Sequence, residues 1–238
     1  MIYFKTMRRK YFGRQRTIDT ASCNFGLVAA KGTDKDRQLY ELILDASRMS
    51  GIGFAPLIML AWQAQQHCAS RELLALLEEC DPSLQIDLSR YVNIDSGQAG
   101  VEAGLLSQIL MAGVAADLPL RRRRSAIAFR EHLYERVRMQ YAAHAPRRLD
   151  SFFVCKSLEA VRAYRKRHRL GEVNCKLKAL GKHVAFQADM THLDRVSLSQ
   201  NFASAVTGIR RYWLQETSDD PLIEVLLQGH LVLLTEMA

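Results

Sequence analysis

The sequence predicts an α+β fold, and three observations carry the prediction. Met1 to Thr6 is short, aromatic and β-prone. Residues 34–145 then place apolar side chains at helical spacing. After Pro146 the pattern switches to short apolar runs rich in Val, Phe and Leu, punctuated by Gly and Asp. Strands and helices segregated along a chain point to α+β rather than to alternating α/β layers. At 238 residues the chain holds one large domain, or one domain with a sizeable insertion. We expect a first strand and connection in 1–33, an inserted helical lobe in 34–145 and a β-rich core in 146–238.

Taken in order, residues 8–33 mix basic residues with Gly13, Gly26 and Gly32 and read as an irregular connection. Leu39, Leu42, Ile43 and Ala46 define the first helix. Pro56 suits the first turn of the second, which continues through Leu57, Ile58, Leu60 and Ala61. Ser70 opens a third, with Leu73, Leu74, Leu76 and Leu77, stopped by Asp81-Pro82. A polar break at Asn93 to Gly97 precedes a helix through Val101, Leu105, Ile109 and Leu110. Another runs from about Ser125 to Ala143. This stretch has no repeat and no catalytic motif, so its expected role is structural, as a lobe packed on or lidding a site built elsewhere. Ser151 to Cys155 reads as a strand, and Ser157 as the cap of a basic helix ending before Gly171. Two hairpins are expected, one about Gly181 and one about Gln228-Gly229, with a helix through Phe202, Val206, Ile209 and Trp213 between them.

The charge is uneven. Arg121 to Arg169 holds fifteen Lys or Arg against four Asp or Glu, a balance of +11 in a chain of net charge +8, so the remainder sums to −3. Such a block points to an anionic partner, or to a solvated helix face. Five cysteines, Cys23, Cys68, Cys80, Cys155 and Cys175, are widely spaced and lack zinc-knuckle spacing. They read as free thiols in a reducing compartment, and no metal site is expected. No run of about 18 uncharged apolar residues exists, so no membrane span is expected. The N-terminus lacks the apolar stretch of a secretory signal. The expected location is the cytoplasm, or a target cell reached by a specialised secretion system.

No Gly-rich phosphate loop, paired metal-spaced histidines or nucleophile elbow is present. His183 and His192 read as surface or loop residues, and Tyr212-Trp213 as core. Glu224 is the odd residue. In a strand, Ile223, Val225 and Leu227 share one face, and Leu222, Glu224 and Leu226 the other. A carboxylate between two leucines fits a solvated edge strand, an ordinary ion pair or a functional site, and this stretch alone leaves all three open.

Three segments carry a resemblance. Leu-Tyr-Glu-Arg-Val-Arg through Pro-Arg-Arg-Leu-Asp-Ser-Phe-Phe-Val-Cys-Lys-Ser-Leu-Glu-Ala-Val (133–161) is similar to a bacterial family in which an Arg-Leu-x-Ser-x-Phe strand precedes a helix. Gln-Ala-Asp-Met through Leu (187–193) is similar to its following aspartate-methionine strand end. Arg-Tyr-Trp through Asp-Asp-Pro-Leu-Ile-Glu-Val-Leu-Leu-Gln-Gly (211–229) resembles its closing motif. That family resembles the ADP-ribosyltransferase superfold, whose final strands carry a catalytic Glu. The likeness covers about 105 C-terminal residues and, more faintly, Met1 to Thr6.

The resemblance implies an NAD-dependent mono-ADP-ribosyltransferase, a glycosyltransferase that uses NAD as substrate, of the kind found among bacterial toxins and effectors. Its acceptor would be a protein or a nucleic acid. Glu224 would stabilise the ribosyl cation that forms as the nicotinamide bond breaks. Arg148 would pair with the pyrophosphate, Ser151 would hold the site strand and its carboxylate, and Tyr3, Phe153 or Tyr164 would stack on nicotinamide. Two departures narrow this. The first strand of active members supplies an Arg or His that Ile2 to Thr6 lacks, leaving Lys5, Arg8 or Arg14 as stand-ins. Arginine-modifying members carry Gln or Glu where this chain has Leu222, which disfavours an arginine acceptor. The alternative is a non-catalytic basic module that binds nucleic acid or an acidic protein.

Overall fold

A computed structural model describes residues 1–7, 17–24, 32–66, 70–92, 100–120, 123–168 and 173–237, and its mixture of helices and strands is α+β. Arg8, Arg14, Cys68, Arg121, Arg122 and the polar break at Asn93 to Gly97 lie outside the described residues. The chain divides into two compact units. The first comprises Met1–Ala29, Glu135–Arg195 and Gly208–Ala238, and the second Ala30–Tyr134 and Val196–Thr207.

The second unit is mainly helical: α1 (Asp34–Ser50), α2 (Phe54–Gln65), α3 (Ser70–Glu79), α4 (Ala103–Ala115) and the first part of α5 (Arg123–Tyr141). Thr33 and Asp36 form a capping box at the start of α1, and Gly51 closes it in the left-handed conformation at φ 74°. Asp36 also accepts from the backbone N–H groups of Asp117 and Leu118, at 3.1 and 3.0 Å. Gly113 lets α4 cross α2 closely, since a Cβ there would lie 2.5 Å from the Ala61 carbonyl oxygen. Val101 departs from the sequence expectation. It belongs to a two-stranded ribbon, β3 (Gln85–Ile86) with β4 (Val101–Glu102), and not to the helix that follows. Two-residue strands leave no periodicity to read.

The first unit is built on a five-stranded antiparallel sheet of β1 (Ile2–Met7), β2 (Thr17–Asp19), β5 (Phe152–Val154), β6 (Val173–Asp189) and β7 (Ile223–Met237). The end of α5 belongs to it, with α6 (Leu158–His168), the single turn α7 (Thr191–Asp194) and the end of α8 (Phe202–Trp213). Strand β2 emerges from the stretch expected to be irregular; its three residues pair with Val232, Leu231 and His230 of β7.

Neither expected hairpin forms. β6 and β7 are each continuous and pair with one another from Asn174↔Met237 to Asp189↔Ile223, with a register break between Leu180 and Val184. Gly181 (φ 61°) and Gly229 (φ 137°) lie at that break. They bend one long ribbon instead of reversing two short ones. A glycine between apolar runs signals a turn or a bulge equally well, and here the bulge prevails because each strand finds its partner in the other. At Gly229 a Cβ would stand 3.0 Å from the His183 Cβ, and its N–H donates to Thr20 Oγ1 at 2.8 Å.

The strand pairings close on themselves. β1 lies on the outer side of β6, β5 on the far side of β7, and Phe4 and Cys155 exchange backbone hydrogen bonds at 2.8 and 2.7 Å. The ring β1–β6–β7–β5 surrounds a core that includes Tyr3, Phe152, Val154, Leu177, Val225 and Leu227.

Candidate functional site

The bridge between Phe4 and Cys155 sets the first strand beside β5 and the helix that follows it. Ser157 caps α6 two residues beyond Cys155, its Oγ accepting from the Ala160 N–H at 3.0 Å, so the helix begins next to the bridge. Phe4, Lys5 and Thr6 of β1, Phe153 and Val154 of β5, Cys155, Val161 and Tyr164 of α6 and Glu224 of β7 together line a cavity of about 150 Å³.

Glu224 is 1% exposed, in a strand flanked by β6 on one side and β5 on the other, which overturns the solvated-edge reading. Both faces of its segment are covered. Val225 and Leu227 enter the sheet core, while Leu226 pairs with Phe186, whose ring lies 5.7 Å from that of Trp213. A buried carboxylate requires partners. Arg148, 4% exposed, donates through Nη1 to Glu224 Oε1 and to the Tyr212 hydroxyl, the latter at 2.7 Å. Tyr212 in turn donates to the same Oε1 at 2.6 Å. Two donors thus fix one carboxylate oxygen, and the guanidinium is held over the Phe153 ring at 4.6 Å. The other oxygen, Oε2, is buried and has no hydrogen-bond partner among the described residues. An orphaned buried acceptor on a residue that lines a cavity calls for a partner from outside the chain, a water or a bound group.

Lys5 is the cation of the cavity. Its Nζ donates to the Phe153 carbonyl at 2.6 Å and lies 4.4 Å from the centre of the Phe152 ring. Burial pulls its ammonium down to about 8, against the opposing attraction of Cys155 and Glu224. Burial pushes the Cys155 thiol up to about 12 and raises the Tyr164 and Tyr212 hydroxyls. At neutral pH Cys155 is therefore a protonated thiol and a poor nucleophile. A fixed carboxylate and an amine that titrates near neutrality remain to do chemistry, between largely apolar walls.

Asp189 sets the approach to Glu224. It accepts from the N–H groups of Thr191 (3.0 Å), Leu222 (2.9 Å) and Ser218 (2.8 Å) and from the Ser218 hydroxyl (2.6 Å). Burial pushes its carboxyl up, but these four bonds outweigh that and hold it at about 2. The loop ending at Leu222 is thereby fastened two residues before Glu224.

The expected site residues separate in the structure. Lys5, Phe153, Tyr164 and Glu224 meet at the cavity. Arg148 touches Glu224 directly and is no surface member of the basic block. Ser151 does not reach the carboxylate: its hydroxyl donates to the Arg147 carbonyl at 2.7 Å and accepts from Gln228 at 3.3 Å, because the chain turns through a 3₁₀ segment at Arg148–Asp150. Tyr3 points into the sheet core, fully buried, and donates to the Met1 sulfur at 2.8 Å. His192 is buried and not a surface residue, with Nε2 3.0 Å from the Glu216 carbonyl. Tyr212 and Asp189 carry roles their residue types did not announce. A buried tyrosine hydroxyl needs a partner, which is the signal that could have found the first.

Among the described residues no helix is long and apolar enough to cross a membrane. No curated protein matches the chain. A match to a known family begins at β3, covers the remaining elements of the cavity and leaves out β1, which supplies Lys5. That match runs over residues 85–237, well over half the chain, and the protein belongs to the family described as a protein of unknown function (DUF2441).

Proposed function

We propose that the protein is an NAD-dependent mono-ADP-ribosyltransferase with an ADP-ribosyltransferase-like β-rich core, acting as a toxin or effector on a non-arginine acceptor. The observation that carries this reading is the buried Glu224, whose Oε1 is fixed by Arg148 and Tyr212 while Oε2 remains without a partner at a cavity wall. A cavity of about 150 Å³ matches one six-membered aromatic ring, a size known to admit benzene. Nicotinamide fits that description, with Phe153 and Tyr164 as apolar walls and Oε2 free to accept from a ribose hydroxyl or the ring carboxamide. Lys5 is the first-strand cation that would face the phosphates.

The chemistry follows from the electrostatics. The bond from ribose C1′ to nicotinamide breaks, nicotinamide leaves with the electron pair, and positive charge develops at C1′. A carboxylate held in place by two donors stabilises that charge without reorganising. The acceptor then bonds to C1′ and loses its proton.

Purified protein incubated with NAD should release nicotinamide, and Glu224→Gln should lower the rate by about 100-fold or more. Arg148→Met/Glu224→Gln serves as the companion variant, because it leaves no buried charge behind. A parent protein that neither binds NAD nor releases nicotinamide, or variants that release it at the parent rate, would overturn the proposal.

A further inference from the structure

The charge excess of 121–169 resolves, on α6, into two faces with different tasks. Val161 and Tyr164 line the cavity. Arg162, Arg165 and Lys166 are exposed on the other side, and exposed Lys156 precedes the helix. Each of three cations directly follows a cavity-lining residue: Lys156 follows Cys155, Arg162 follows Val161, and Arg165 follows Tyr164. The wall of the cavity is thus apolar inside and cationic outside.

Three of the four charges are not absorbed within the fold. Lys156, Arg165 and Lys166 form no ion pair among the described residues. Arg167 differs: it donates to Thr191 Oγ1 at 2.8 Å and to Asp220 at 2.9 Å, and so serves the loop before β7. The helix carries one acid, Glu159.

We infer that the outer face of α6, with Lys156, docks the phosphodiester backbone of a nucleic acid, and that the acceptor presented to the cavity is that nucleic acid. The acceptor assignment rests on the proposed transferase reading; the docking surface does not. Charge complementarity supplies the first reason. Lys156, Arg165 and Lys166 are exposed cations without an ion pair among the described residues, and a phosphate chain is the polyanion such a surface neutralises. The chemistry of the face supplies the second. Protein partners bind mainly through buried apolar and aromatic anchors, and the exposed residues of this face, Glu159, Arg162, Ala163, Arg165 and Lys166, include none. A surface with cations and no anchor gains affinity chiefly by releasing counterions from a polyanion. In the transfer itself, the bond from C1′ to nicotinamide breaks and one to a nucleophilic atom of the nucleic acid forms, its proton leaving to solvent.

The test measures fluorescence anisotropy of labelled 20-nucleotide single-stranded DNA and RNA, with polyglutamate of matched charge as the protein-like polyanion. Three cations at about 0.7 counterions each predict that log Kobs falls with log salt at a slope of about −2. Lys156→Glu/Arg165→Glu/Lys166→Glu should weaken binding and flatten that slope toward zero, while nicotinamide release from NAD stays at the parent rate. With NAD labelled in its ADP-ribose half, label should pass to the oligonucleotide. Which of DNA or RNA binds more tightly identifies the source of the phosphates. The inference fails if the triple variant binds oligonucleotide like the parent, if polyglutamate competes on equal terms, or if label enters protein alone. Oligonucleotide binding by a protein that does not turn over NAD would remove the transferase reading and leave the docking surface standing.

Discussion

The buried pair of Arg148 and Glu224 makes a prediction that separates charge from packing. The two side chains are 4% and 1% exposed and share Tyr212. Arg148→Met removes the cation and keeps most of the volume, leaving a buried carboxylate with a single donor. Breaking a buried pair on one side costs about 3–5 kcal/mol. Glu224→Gln strands the guanidinium and should cost a similar amount. The double variant Arg148→Met/Glu224→Gln removes both charges, and its amide oxygen can still accept from the Tyr212 hydroxyl. It should lose only about 1 kcal/mol, so that combining the substitutions restores about 2–4 kcal/mol relative to either alone. Urea unfolding can report this through Trp213, 2% exposed and 5.0 Å from the Tyr212 ring, in a Trp62→Phe background. With a slope of about 2 kcal/mol per molar urea, each single substitution lowers the midpoint by about 1.5–2.5 M. The double variant should return to within about 0.5 M of the parent. A double variant as unstable as the sum of the singles, or an Arg148→Met protein within about 1 kcal/mol of the parent, would refute the view that this pair is desolvated and charged.

Two further outcomes follow from the titrating groups. Lys5 has its folded value lowered to about 8 from 10.5, so the unfolded chain binds the proton more tightly and stability rises with pH between those values. Lys5→Met should therefore be the more stable protein at pH 7, by up to about 3 kcal/mol, with the gap closing toward pH 10.5 in urea midpoints; a pH-independent gap would refute this. For Asp189 stability again rises with pH, here because the charged form is favoured by folding: its folded carboxyl is held at about 2, so its contribution is full above 3.8 and is lost as pH falls through about 2. Asp189→Asn should cost about 2 kcal/mol, equally at pH 7 and pH 5, and should slow NAD turnover although Asp189 does not line the cavity. Unchanged turnover would show that the loop into Glu224 needs no clamp.

The helices were legible because their cues are local. Leu39, Ile43 and Ala46 repeat within one helix, and Ser157 caps the turn it begins. Glu224 was legible as an anomaly because two neighbouring leucines sufficed to mark it. Its partners were not, since Arg148 lies 76 residues away and a single chain carries no record of which distant groups meet. The hairpin reading failed for the same reason. Gly181 and Gly229 look alike as turns until the partner of each strand is known, and that partner is a whole strand from elsewhere. Ser151 and Tyr3 belonged to the expected strands, but the strand alone did not fix which way each side chain faced.

The closed ring of strands also sets a timetable. β1 is made first, yet it pairs with residues 173–178 and bridges Cys155, and the cavity is complete only when Glu224 joins Lys5, 219 positions later. At about 5–20 residues per second of synthesis, the first strand waits roughly 10–45 s for its last neighbour. Contacts so distant along the chain make for slow folding. A chain that stops short of β7 therefore holds Lys5 and Glu224 apart, and any activity the cavity supports waits for that strand to take its place.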